Sequence, residues 1–283
     1  GDIRGSAAPE EFERIGRRLR EKCPHHLIGF HPFGRCSSSQ WFGNASWLDF
    51  HMFQSGHRRY DQVKLNEWDD RVDVETFVGE DNYRYVQHDR PLDPPRPVLD
   101  GEPSYEFILQ GLHDPTQPYW QSCDVRRYAY WSLLAGAAGF TYGSNAIMQF
   151  WNGTENGAYG VFETWQEALH NPGSMYMTHA RRLMEAIDWQ SGQPAQQVLS
   201  DNTGEKYEYN LALETKRALC VYTYTGKPFT VDTSEIGDTE AYWFDPLSGG
   251  KSYLGKLKAR KDARFAPPDR RSGQNDWILL LEK

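Results

Sequence analysis

Glu102 is the carboxylate best placed for chemistry. It closes the run Pro97-Val98-Leu99-Asp100 and sits between Gly101 and Pro103. Glycine lets the backbone bend close to a ligand, and proline stiffens the turn. A carboxylate held this way can attack carbon, move a proton, or simply pair with an arginine at a strand end. Two facing carboxyls are what cleavage of a glycosidic bond, among other reactions, requires: one protonates the leaving oxygen while the other attacks carbon or activates water. Asp2 is the natural second acid, since it opens a loop of small and basic residues at an apparent strand end. Its ordinary reading is a frayed terminal acid. Asp49 and Asp100 are rivals, but each sits inside its strand, where ion pairing is the readier role.

His31, His51 and His57 could suggest a metal set. They lack helical ligand spacing and no Cys or Glu is placed with them, so hydroxyl binding or structural hydrogen bonds fit better than a metal. No cofactor is called for. The expected substrate-binding residues are His31, Asp49, His51, Gln54, His57, Tyr105, Tyr142 and Trp151. Tyr105 and Glu106 are close enough in sequence to hold Glu102 by hydrogen bonds. Arg126 and Arg127 open a helix and either pair with a carboxylate or face solvent. Trp41, Trp47, Trp151 and Trp165 either stack on sugar or fill core, and at least two should be core. No nucleophile elbow, phosphate-binding loop or dinucleotide fingerprint is present.

These residues need elements to carry them. The spacing predicts a helix over 9–22, with Glu10, Glu11 and Glu13 early and Arg17, Arg18 and Arg20 late, an order that complements the helix dipole. Strands are expected at 27–32, 47–54, 97–103 and 139–143, with helices at about 73–88, 122–136 and 173–187. Strand and helix alternate, which implies a parallel sheet. Three of the four strands end in polar or ionisable residues, as at the C-terminal rim of a (β/α)8 barrel. Only four of eight strands are visible, so the expectation is an α/β TIM barrel's C-terminal half, strands 4–8, over residues 1–190. From 193 to 283 short alternating runs (207–213, 218–224, 228–232, 240–244, 277–281) predict a small antiparallel β-sandwich. Lys256, Lys258, Arg260 and Lys261 read as a solvated strand edge or loop.

The chain has 283 residues, 39% apolar and 25% charged, enough for two packed units. A net charge of −8 without a basic block argues against nucleic acid. No apolar stretch is long enough to span a bilayer. The cysteines Cys23, Cys36, Cys123 and Cys220 form no CxxC pair; they are free, or Cys23 and Cys36 join. The opening Gly1-Asp2-Ile3-Arg4-Gly5 has no Met and no signal segment, so the expectation is a fragment whose targeting signal lay upstream.

Three long segments then carry a resemblance: HPFGRCSSSQWFGNASWLDFHMFQSGH (31–57), PVLDGEPSYE (97–106) and DVRRYAYWSLLAGAAGFTYGSNAIMQFW (124–151). In this order they resemble the apiosidase-like family of bacterial glycoside hydrolases (the DUF4038 group, glycoside hydrolase family 140). GDIRG at the start resembles that family's motif at the end of barrel strand four. AYWFDPLSGG (241–250) resembles the β-sandwich labelled collagen-binding that often follows. The resemblance covers nearly the whole chain. It implies a barrel with the acid/base on strand four, matched by Asp2, and the nucleophile on strand seven, matched by Glu102. It further implies a retaining hydrolase of pectic glycosides, one characterised activity being release of apiose from rhamnogalacturonan II. An oligosaccharide or polysaccharide partner and a secreted or periplasmic location go with it. The rival readings are a non-catalytic carbohydrate-binding protein and a matrix-adhesion protein.

Overall fold

The computed structural model describes residues 9–62, 77–200, 204–268 and 274–283. Asp2 lies outside the described residues. Two compact units form: one from the chain up to Tyr128 with Ala137–Asn171, the other from Ala129–Gly136 with Pro172–Lys283.

The first unit is the α/β, TIM-barrel-like part. Its sheet runs β1 (Cys36–Ser37), β2 (His51–Gln54), β3 (Val98–Asp100), β4 (Gly139–Phe140). β1 is antiparallel to β2, while β2, β3 and β4 are mutually parallel, with His51 opposite Val98 and Leu99 opposite Gly139. The parallel strands are joined through helices, as parallel pairing requires: α3 (Tyr83–Asp89) precedes β3 and α4 (Ser122–Leu134) precedes β4. Phe53 is fully buried and stacks flat on Tyr85 of α3, with ring centroids 4.9 Å apart. α1 (Pro9–Lys22) places Gly16 where any Cβ would lie 2.3 Å from the Trp47 ring, so only glycine permits this approach. Glu13 accepts the Trp47 indole N–H at 2.7 Å. Ile28, Phe30, Phe42, Trp47 and Leu48 complete that cluster.

The second unit is an antiparallel sheet domain. Its six-stranded sheet has the order β10 (Lys251–Leu257), β9 (Thr239–Phe244), β12 (Trp277–Glu282), β7 (Ala218–Thr223), β6 (Leu211–Glu214), β5 (Gln193–Pro194). β8 (Phe229–Val231) and β11 (Ala263–Phe265) form a separate two-stranded sheet. Alternation sends Leu219, Val221, Ala241, Trp243, Leu279 and Leu281 to one face, where they share a core with Phe229, Val231 and Phe265. The opposite side chains, Cys220, Tyr222, Ile278 and Leu280, are also buried. Tyr130 stacks on Tyr222 at 5.2 Å, so the last turns of α4 help cover this second face.

Several expectations need correction. Residues 27–32 form no strand: Leu27 is 81% exposed, and the run is tied by the Asp49 N–H to the Ile28 carbonyl at 2.9 Å rather than by a ladder. The second strand begins at His51, because Trp47 and Leu48 turn inward to the α1 cluster. β10 is not among the expected runs, because its side chains lie mostly in solvent and no apolar period announces it. It puts Lys256 on a solvated sheet edge, with Lys258, Arg260 and Lys261 in the loop that follows, so both readings of that run hold. None of the four cysteines forms a disulfide, which removes the Cys23–Cys36 pair and leaves the unbridged reading. The expected helix at 73–88 begins partly outside the described residues, and within them its α-helical part is Tyr83–Asp89. Among the described residues no helix is long and apolar enough to cross a membrane.

Candidate active site

β2 and β3 run parallel, so their C-terminal ends point the same way, and the segments that leave them meet. Phe53 accepts the Gly101 N–H at 2.9 Å, and the Glu102 carbonyl accepts the Gly56 N–H at 3.0 Å. The Ser104 hydroxyl donates to the Gly56 carbonyl at 2.7 Å. A Cβ at Gly101 would lie 2.5 Å from the Met52 side chain, so a larger residue there would have to push Met52 aside. These bonds carry His57 to Glu102. His57 Nε2 is 3.2 Å from Glu102 Oε1, and His31 Nε2 is 3.1 Å from Oε2. Tyr105 presents its ring edge-on to His57 at 4.8 Å.

Glu102 opens on a cleft of about 560 Å³. That is the size of a small-ligand pocket. His31, Gln54, His57 and Tyr105 line it together with Glu102. Burial opposes ionisation of Glu102, but the hydrogen bonds from His31 and His57 outweigh it and hold the carboxyl at about 2. The bond to Glu102 raises the His31 pKa against the effect of burial. Burial, then the charge on Glu102, pushes the Tyr105 phenol up. The group is an ionised carboxylate in a partly dry cleft, the state a nucleophile or general base requires.

The other expected residues stand elsewhere. Asp49 bonds Arg20 and accepts the Ile28 N–H at 2.6 Å. Burial opposes its charge; the Ile28 N–H and Arg20 overcome that and hold it below the usual range. His51 is fully buried on β2, its ring nitrogens have no hydrogen-bond partner among the described residues, and burial lowers its pKa. Period-2 alternation explains this: His51 shares the buried side with Phe53. Tyr142 donates to Glu106 Oε2 at 2.6 Å, so Glu106 serves Tyr142 rather than Glu102. The Trp151 indole donates to the Glu155 carbonyl at 2.7 Å. Neither Tyr142 nor Trp151 lines the cleft. Trp47 is core, Trp41 packs against the same cluster, and Trp165 lies 5.3 Å from Phe150. Asp100 accepts bonds from Ser55 at 3.2 Å and Asn82 at 3.0 Å and is wholly buried, a structural role. Arg127 approaches Glu80 at 3.6 Å with both side chains fully buried, so the pairing alternative holds for it.

Arg35, Arg58, Leu112, His113, Met148 and Tyr159 line the cleft without having been singled out from sequence. Arg35, Leu112 and Tyr159 have positive φ (64°, 78° and 55°). Non-glycine residues held there are strained and cluster at functional sites. The signal that could have found some of them is position: Arg35 and Met148 lie inside the segments 31–57 and 124–151, and Arg58 follows His57 directly. Among the described residues no group of three or more His, Cys, Asp or Glu is arranged to hold a metal ion.

Comparison with known proteins places this geometry. The model of the family "Apiosidase-like, catalytic domain" matches residues 1–191, and "Putative collagen-binding domain of a collagenase" matches 193–282. A solved structure named "Glycoside hydrolase" is 40% identical with a TM-score of 0.93, covering 100% of this chain and 63% of its own. A glycoside hydrolase family 5 structure from Bacteroides vulgatus is 38% identical with a TM-score of 0.91, covering 100% of this chain and 60% of its own. The chain thus spans about three fifths of these structures. An α-amylase from Geobacillus thermoleovorans, 9% identical with a TM-score of 0.51, shares the fold alone; it covers 98% of this chain and 57% of its own. No curated protein matches. With a carboxylate presented at the end of a parallel strand and a catalytic-domain match over two thirds of its length, the chain belongs to the apiosidase-like family of glycoside hydrolases.

Proposed function

We propose that this chain is part of a glycosidase that hydrolyses pectic glycosides of plant cell walls, with Glu102 as nucleophile and Asp2 as acid/base. Glu102 carries the reading: it stands on the cleft, bonded at both oxygens and ionised down to about pH 2. In the first step a Glu102 oxygen bonds the anomeric carbon while the glycosidic oxygen leaves with a proton from Asp2. In the second, water attacks that carbon, its proton returns to Asp2, and Glu102 is released. This retaining route needs carboxyls about 5–5.5 Å apart, an inverting one about 6.5–9.5 Å. Within this reading β2, β3 and β4 are barrel strands six, seven and eight, the family is glycoside hydrolase family 140, and the enzyme works outside the bacterial cytoplasm. His31, Gln54, His57 and Tyr105 contact the sugar or steady Glu102.

The test is a screen of the full-length protein against pectic oligosaccharides, with product anomers followed by NMR and Glu102→Ala beside it. Turnover lost in the variant and a retained anomer in the parent support the reading. Turnover that survives Glu102→Ala overturns it. The collagen-binding match over 193–282 favours a second role for that unit, adhesion to matrix or glycan. Pull-down of the full-length protein on collagen and on pectin, lost when 193–282 is deleted, would support it.

A further inference from the structure

The two histidines on Glu102 look alike but face different surroundings. His31 has Nε2 3.1 Å from Glu102 Oε2 and Nδ1 3.0 Å from the Pro32 carbonyl. A carbonyl oxygen and a carboxylate only accept, so both ring nitrogens must donate, and only the imidazolium carries two N–H groups. His57 differs. Its Nε2 faces Glu102 Oε1 at 3.2 Å, but its Nδ1 is buried and has no hydrogen-bond partner among the described residues. A second N–H there would make the ring a cation with a buried donor lacking an acceptor among the described residues, which costs more than a bare lone pair on a neutral ring.

We infer that the two histidines divide the work on Glu102: His31 is the imidazolium that supplies its counter-charge, and His57 is a neutral donor with its one proton on Nε2. The inference rests on Glu102 being the reacting carboxylate, and it makes both histidines positioning residues. The remaining charged or titratable side chains lining the cleft are Arg35, Arg58, Tyr105, His113 and Tyr159. The direct bonds to Glu102 and Pro32 hold the charge on His31 against burial. Glu102 is the only carboxylate lining the cleft among the described residues. One cation against one anion leaves the pair neutral.

The direct test is ¹⁵N NMR of the imidazoles in the full chain at pH 7.5, where an ordinary histidine is roughly 90% neutral. His31 should show two protonated nitrogens, and His57 one, on Nε2. A neutral His31, a second imidazolium at His57, or a His57 proton on Nδ1 would each overturn the assignment. This needs no variant and no turnover. The second arm follows the Glu102 carboxyl by ¹³C NMR titration. Glutamine keeps a donor but no charge. His31→Gln should therefore raise the midpoint by about one pH unit or more, and His31→Lys should recover most of it; His57→Gln should shift it less. Equal shifts from the two glutamine variants would sink the division of labour. If the pectic screen finds no hydrolysis, these NMR results still stand or fall alone. If they fail, loss of turnover in Glu102→Ala is untouched.

Discussion

Replacing Arg127 with methionine should destabilise the protein by about 3–5 kcal/mol. Arg127 lies 3.6 Å from Glu80, with neither side chain reached by solvent. It also donates to the Glu80 carbonyl at 3.1 Å. Glu80 in turn accepts the Tyr60 N–H at 2.6 Å, and Gly79 beside it packs so closely on the Ser55 carbonyl that a Cβ would stand 2.2 Å from the oxygen. Without the guanidinium, a buried carboxylate loses its cation at the place that anchors the segment carrying His57. For a unit of 150–250 residues each kcal/mol moves the melting temperature by about 2–4 °C, so the shift should be about 6–20 °C. Urea unfolding followed by tryptophan fluorescence measures it. The double variant Arg127→Met with Glu80→Gln removes both charges and should recover at least half of the loss. The exposed pair Arg59–Asp61, at 2.8 Å, is the control, and Asp61→Asn should cost under about 1 kcal/mol. An Arg127→Met variant within about 1 kcal/mol of the parent, or a double variant no better than the single, would refute the reasoning.

Three other outcomes are expected. The Glu102 carboxyl is depressed in the folded state, so its stabilising contribution is complete above its ordinary value of 4.5 and is lost as pH falls toward about 2; Glu102→Gln should flatten the urea midpoint against pH in that window. Gly143→Ala would set a Cβ 2.0 Å from the Tyr105 ring. It should cost about 1–3 kcal/mol by denaturation and displace the ring edge that rests on His57, with lower turnover than stability alone explains. Leu279→Ala, in the sandwich core and fully buried, should cost about 2–5 kcal/mol in the same assay and leave the Glu102 carboxyl titration unchanged.

Elements with a strong local signature were readable from sequence. The charge order of α1, the apolar run of β12 and the alternation of β7 and β9 all appear where expected. β10 was not, because an exposed edge strand has no buried face to impose a period. Leu27–Pro32 misled for the opposite reason: Ile28 and Phe30 pack in the cluster with Phe12 and Trp47 instead of joining the ladder, and Leu27 faces solvent. At the site, Glu102 was marked by its Gly and Pro neighbours, and His31, Gln54, His57 and Tyr105 by their nearness to strand ends. Asp49 and His51 are grouped with them from sequence, yet Asp49 precedes β2 and bonds Arg20 and the Ile28 N–H, while His51 shares the buried side of β2 with Phe53. Arg35, Leu112 and Tyr159 reach the cleft through strained loop conformations that depend on distant contacts.

The most direct measurement is turnover of pectic oligosaccharides by the full-length protein with and without the Glu102 carboxyl. With Glu102 as the proposed nucleophile, Glu102→Ala should cost about 10⁴-fold or more while the fold is kept. Hydrolysis within about tenfold of the parent would contradict the account.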